Sequence, residues 1–168
     1  RANAASTSTV ITSSQGAALS TIVSRMLLNS DNEIAEALHK IVGYKLGHGT
    51  SWTGARAAQT KQLTAQGLKA TALYDGSGLS RADRLSAMQL TRIVDRGLDS
   101  RYVDRLWPMQ SAQAMPTAGR TGTLKYRVTT AASKCAVGKV WAKTGSLNDV
   151  VSLAGFTKGS DGRVKVFA

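Results

Sequence analysis

The apolar period of this chain changes once, and that change limits the folds open to it. From Ala18 onward apolar residues return every three or four positions: Leu19, Ile22, Val23, Met26 and Leu27, then Ile34, Leu38, Ile41 and Val42. That is the period of helices burying one stripe. From Val137 the pattern becomes that of strands. Val137 to Thr144 forms the first, Val150 to Thr157 is nearly continuously apolar, and Val164, Val166 and Ala168 alternate with Arg163, Lys165 and Phe167. A mainly helical part (about 18–106) followed by strands (137–168) does not give the repeated βαβ order of a parallel sheet. The expected class is α/β (α+β), helices beside an antiparallel meander, in one domain.

Turn and cap residues set the expected boundaries. The first helix stops at Asn29, and a second follows at once and ends near Gly47. A third runs from Thr53 to Gln66, with Gly67 as its stop. Ala72-Leu73-Tyr74 and Val10-Ile11 read as short strands. Asp75-Gly76-Ser77-Gly78 is turn chemistry. Ser80, with Asp83 three residues on, is expected to open a helix that Gly97 closes. Arg101 to Leu106 reads as one or two helical turns, and Trp107 to Thr123, holding both prolines, as irregular. Val150 to Thr157 is expected to be a central strand buried on both faces. Lys158 to Gly162 is its hairpin loop to the last strand.

Composition narrows the function classes. At 168 residues and 42% hydrophobic content the chain can build one sizeable core. Its net charge of +12 suits polyanionic neighbours such as bacterial wall, phospholipid head groups or nucleic acid. The basic residues are scattered and only 5% of residues are aromatic, which argues against a base-stacking platform. Cys135 stands alone, excluding an intrachain disulfide and a Cys-rich metal site. No His, Cys, Asp and Glu spacing suits a metal, and no glycine-rich phosphate loop is present, so no cofactor is expected. His39 and His48 have no acidic partner at a set spacing. No run is long and apolar enough to span a membrane. The start at Arg1 and the end inside a strand lead to the expectation of a partial or processed product.

Two short stretches carry chemistry. Ser30-Asp31-Asn32 stands at the junction of the first two helices. Ser30 and Glu33 form Ser-x-x-Glu, read structurally as a capping box, and a capping hydroxyl can still donate its proton. Lys143-Thr144-Gly145 closes the first strand. A lysine there offers fixed positive charge to a carboxylate, a threonine offers a hydroxyl, and a glycine leaves the strand edge open. Side chains alternate along a strand, so Lys143 and Thr144 leave by opposite faces and a peptide has to lie along the edge as an added strand.

In this order the two stretches belong to the motif set of penicillin-binding proteins and class A β-lactamases, whose third member is Ser-x-x-Lys. No serine of this chain has a lysine three residues on. With Asp75-Gly76-Ser77-Gly78-Leu79-Ser80-Arg81 and Gly119-Arg120-Thr121-Gly122-Thr123-Leu124 between them, the chain resembles the C-terminal part of bacterial D-alanyl-D-alanine carboxypeptidases/endopeptidases. These are low-molecular-mass penicillin-binding proteins with inserted domains. The resemblance runs from about Ala18 onward. It implies a penicilloyl-serine transferase fold, an exported location at the cell wall, and action on peptidoglycan stem peptides, with β-lactams as ligands. It further implies catalytic roles for Ser30, Asn32 and Lys143. Ser30 passes a proton, Asn32 holds the substrate backbone and Lys143 sets the field. Thr144, Gly145 and Ser146 bind substrate, the Ser146 N–H serving the oxyanion hole. The nucleophile is then expected from a missing N-terminal segment or a second chain. The rival readings are a wall-peptide-binding homologue that does not cut, a nucleic-acid-binding domain and, within the fold, a β-lactamase.

Overall fold

The computed structural model describes residue 5 and residues 7–68, 72–99 and 114–168. Among the described residues four helices come first: α1 Leu19–Asn29, α2 Asn32–Lys45, α3 Trp52–Ala65 and α4 Ala87–Gly97. Short 3-10 turns at Gly122–Leu124 and Ala131–Ala136 lead into strands β1 Val140–Ser146, β2 Val151–Lys158 and β3 Val164–Phe167. The strands form one antiparallel sheet in the order β1-β2-β3. The predicted order of helices before an antiparallel meander is the order found.

The core forms where α4 meets the sheet. Val94, Met115 and Phe156 are buried together, with Leu27, Leu98, Trp141, Ala154 and Val166 packed around them. Trp141 and Phe156 are register partners, and their rings stack at 5.4 Å between centroids. Each large side chain buried here stabilises the fold by roughly 1.5–3 kcal/mol. Side chains on a strand repeat every second residue. The face carrying Trp141 therefore also carries Lys143, which stands opposite Ala154.

Several boundaries differ from expectation. Val10 and Ile11 are 79% and 97% exposed and form no strand. Ala72 makes only an isolated bridge to Arg84. The fourth helix starts at Ala87, capped by Ser86 and Gln89 in a reciprocal box, and not at Ser80. The residues expected to cap it earlier are engaged elsewhere: the Asp83 carboxylate accepts the Tyr74 N–H, and the Ser80 N–H donates to Asp75. β1 starts at Val140 because Gly138 takes a left-handed turn at φ +70°. It ends at Ser146, so Lys143-Thr144-Gly145 lies within the strand. β2 is buried only near Gly155 and Phe156, whereas Val151 is 78% exposed. The face on which Val151 and Leu153 lie is covered beside Ala142 and Thr144, where Thr123 meets it, and lies open at Val151 and Leu153 themselves. The helical turns expected at Arg101–Leu106 lie outside the described residues.

Candidate active site

The junction between α1 and α2 sets the first group. Asp31 N–H reaches back to Met26 C=O at 3.0 Å, the six-to-one bond that closes a Schellman turn. Such a turn needs one residue in the left-handed region, usually glycine. Here it is Ser30, at φ 56° and ψ 47°, the one non-glycine residue with positive φ among the described residues. A side chain there costs about 1–2 kcal/mol. The expected Ser30–Glu33 capping box is not formed. Asp31 has the extended backbone a cap requires, and its carboxylate accepts the Ile34 N–H at 3.0 Å. Ser30 is the last turn of α1, and its hydroxyl is left for other work.

That hydroxyl meets β1. Lys143 Nζ donates to Ser30 Oγ at 2.8 Å and to the Thr144 carbonyl at 2.7 Å. Among the described residues no carboxylate pairs with Lys143. Burial alone pushes its pKa below the usual lysine value. Thr144 leaves by the opposite face, where its hydroxyl donates to Thr123 Oγ1 at 2.9 Å. Gly145 shares the Lys143 face, and a Cβ there would collide with Ser152 Oγ.

The outer edge of β1 is half covered. Ala118 N–H donates to Val140 C=O at 2.9 Å, and Ala142 N–H to Pro116 C=O at 3.0 Å. By alternation the N–H groups of Thr144 and Ser146 point to the same edge. Among the described residues no backbone group pairs with them there. Ser146 is exposed at the strand end.

The opposite wall is the turn from Asp75 to Ser80. Asp75 takes the N–H groups of Gly78 and Ser80 at 2.8 and 2.6 Å. Glu36 of α2 takes those of Gly76 and Ser77. Burial raises the Asp83 carboxyl above its ordinary pKa, partly offset by the bonded Tyr74 N–H. Arg81 forms an ion pair with Asp149 in the β1–β2 turn, joining the two walls at the rim.

Between the walls lies a cleft of about 430 Å³. Ser30, Asn32, Lys143, Thr144, Gly145 and Ser146 all line it, together with Gly76 to Leu79. The structure thus brings the six site residues expected from the sequence to one cavity. Asn32, the first residue of α2, is exposed there. His39 is buried against α2's neighbours, and His48 sits in a turn. Among the described residues neither histidine hydrogen-bonds a serine. The sequence reading missed Thr123 and Glu36. Glu36 stands one helical turn after Asn32, a spacing that puts both on one face of α2.

The architecture has counterparts among known proteins. A family model, that of the D-Ala-D-Ala carboxypeptidase 3 (S13) family, matches residues 1–168. The chain belongs to that family. Carboxypeptidase DacB of Mycolicibacterium smegmatis is 36% identical over 163 residues, a match covering 95% of this chain and 35% of that protein. The D-alanyl-D-alanine carboxypeptidase DacB of Haemophilus influenzae is 31% identical, over 87% of this chain and 30% of its own length. The chain therefore spans about a third of the length of these relatives. Among solved structures, penicillin-binding protein 4 of Haemophilus influenzae in complex with a β-lactam superposes with a TM-score of 0.75 at 28% identity. That match covers 88% of this chain and 33% of that one. The mixed fold expected from the sequence, helices beside an antiparallel sheet, is the fold of this penicillin-binding protein.

Proposed function

We propose that this chain is part of the penicillin-binding/transpeptidase domain of a serine-type D-Ala-D-Ala carboxypeptidase/endopeptidase. The observation that carries this reading is the 2.8 Å bond from Lys143 Nζ to Ser30 Oγ across the cleft. It joins the two motifs at the point where a proton has to move. The nucleophile is a serine of a Ser-x-x-Lys segment outside these 168 residues. Its oxygen attacks the carbonyl carbon of the penultimate D-alanine of a peptidoglycan stem peptide. The peptide C–N bond breaks, and the departing amine takes a proton through Ser30. Water then hydrolyses the acyl-enzyme and regenerates the serine.

The chain's other groups bind and orient. Lys143 keeps Ser30 in a positive field and favours the substrate carboxylate. The Ser146 hydroxyl takes that carboxylate, joined by the Thr144 hydroxyl once it turns its hydrogen from Thr123 to the substrate. The outward N–H of Ser146 donates to the oxyanion, an interaction worth about 3 kcal/mol in comparable acyl transfers. Asn32 holds the substrate backbone through its amide. A β-lactam enters by the same route, and an exported protein with a charge of +12 suits an anionic wall.

A second reading keeps the cleft as a wall-peptide binder that does not cut. It predicts that no serine of the complete polypeptide is acylated. Intact-mass spectrometry after incubation with a β-lactam separates the two. The complete polypeptide is expected to gain one β-lactam on a serine outside residues 1–168, and this chain alone to gain none. No adduct on the complete polypeptide favours the binder. An adduct within residues 1–168 overturns the assignment of roles.

A further inference from the structure

The wall of the cleft that faces β1 is held to α2 by one carboxylate. Glu36 Oε2 accepts the Gly76 N–H at 3.0 Å. Its Oε1 accepts the Ser77 N–H at 3.0 Å and the Ser77 hydroxyl at 2.6 Å. Asn32 enters the cleft from the same face of α2 one turn earlier. The turn is also pressed against the helix: a Cβ on Gly76 would lie 2.6 Å from His39 Cβ and 2.7 Å from the Ala35 carbonyl oxygen. Glu36 thus links the α2 backbone to the wall formed by Gly76, Ser77, Gly78 and Leu79.

We propose that Glu36 is a positioning residue for this cleft. It sets the distance at which the Gly76–Leu79 wall stands from Lys143 and Thr144, and it fixes the rotor of Ser77. With its hydrogen on Glu36, the Ser77 oxygen presents only lone pairs to the cleft. Such an oxygen takes an N–H donor from a bound peptide. The proposal rests on the reading of the cleft as the substrate site. A glutamine at position 36 keeps the shape but sets its NH₂ against a backbone N–H, so at least one bond is replaced by a clash of donors. An aspartate keeps the charge one methylene shorter.

The test uses the complete polypeptide. Glu36→Gln is expected to lower the second-order constant for acylation by a β-lactam about 10- to 100-fold, the range a small misplacement of a site wall produces. The loss falls mainly on the concentration giving half-maximal rate and less on the maximal rate. Glu36→Asp restores part of it. Thr130→Ala, which removes the cap of the Ala131–Ala136 turn, none of whose residues lines the cleft, lowers the melting temperature but leaves the constant unchanged. Wild-type acylation by Glu36→Gln overturns the proposal. If Glu36→Gln does not fold, Ser77→Ala and Glu36→Asp carry the test, each expected to lower the constant several-fold, and unchanged constants in both overturn it. A parent that is not acylated refutes the acyl-enzyme reading instead. Amide exchange then decides on Glu36: the Gly76 and Ser77 amides exchange at least tenfold faster in the variant, and unchanged exchange overturns the positioning role.

Discussion

The two walls of the cleft are built by different means. The β1 wall is held by main chain on both sides. β2 pairs with it from Val140↔Thr157 to Ser146↔Val151, and the 116–118 segment covers the first half of its outer edge. The side chains of Lys143 and Thr144 then leave on opposite faces as a consequence of the pleat. The other wall has no such ladder. Asp31, Glu36, Asp75 and Asp83 each receive backbone N–H groups, and Ser30 holds a left-handed turn. The ladder spreads position over many equivalent bonds, so one substitution in it changes chemistry more than geometry. On the capped wall one side chain often holds one stretch of backbone, so a single substitution moves the wall.

The largest expected effect tests the ladder side. Lys143→Ala in the complete polypeptide should cut acylation by a fluorescent penicillin about 10⁴-fold, because both the local charge and the partner of Ser30 are lost. The melting temperature should hold or rise, since a buried ammonium without a carboxylate partner is removed. Normal labelling of this variant would end the assignment of Lys143.

A pair of substitutions at the junction sharpens the contrast. Ser30→Gly relieves the left-handed strain and should raise stability by about 1 kcal/mol. It should still slow acylation by about 10²–10⁴-fold, because the proton route is gone. Asp31→Ala removes the true cap and should cost about 1 kcal/mol. Thermal melts and acylation rates on the two variants read both effects. A loss of stability in Ser30→Gly would show that the serine side chain, and not the backbone, holds the turn.

The smallest effect is a pH dependence of stability. Burial lowers the Lys143 pKa from its ordinary 10.5. Between the folded value and 10.5 the unfolded chain binds more protons than the folded one, so this residue's contribution makes stability rise with pH there. The cost of burying the charge is fully present below the folded value. Melting temperatures of wild type and Lys143→Met across mildly to strongly alkaline pH should differ by that slope. Parallel curves would show that the lysine is well solvated.

Local patterns in the sequence suffice for part of this. The 3.6 period identified α1 and α2, a glycine stop bounded α3, a continuous apolar run marked β2 and alternation marked β3, because burial leaves its mark along an element. The motifs marked Ser30, Asn32 and Lys143 to Ser146, since their residue types follow from what a carboxylate and a peptide edge require. Even there, local chemistry left a choice between neighbours. Ser30 and Asp31 are both good caps, and only the left-handed turn at Ser30 handed the role to Asp31. Tertiary structure decided the rest. The start of α4 depended on Asp83 meeting Tyr74, the exposure of Val151 on what covers the sheet, and the partners of Thr144 and Ser77 on Thr123 and Glu36. The reason is sequence separation: 21 residues divide Thr123 from Thr144, 41 divide Glu36 from Ser77 and 113 divide Ser30 from Lys143, far beyond any helical or strand period. Such contacts exist only once the backbone has closed on itself.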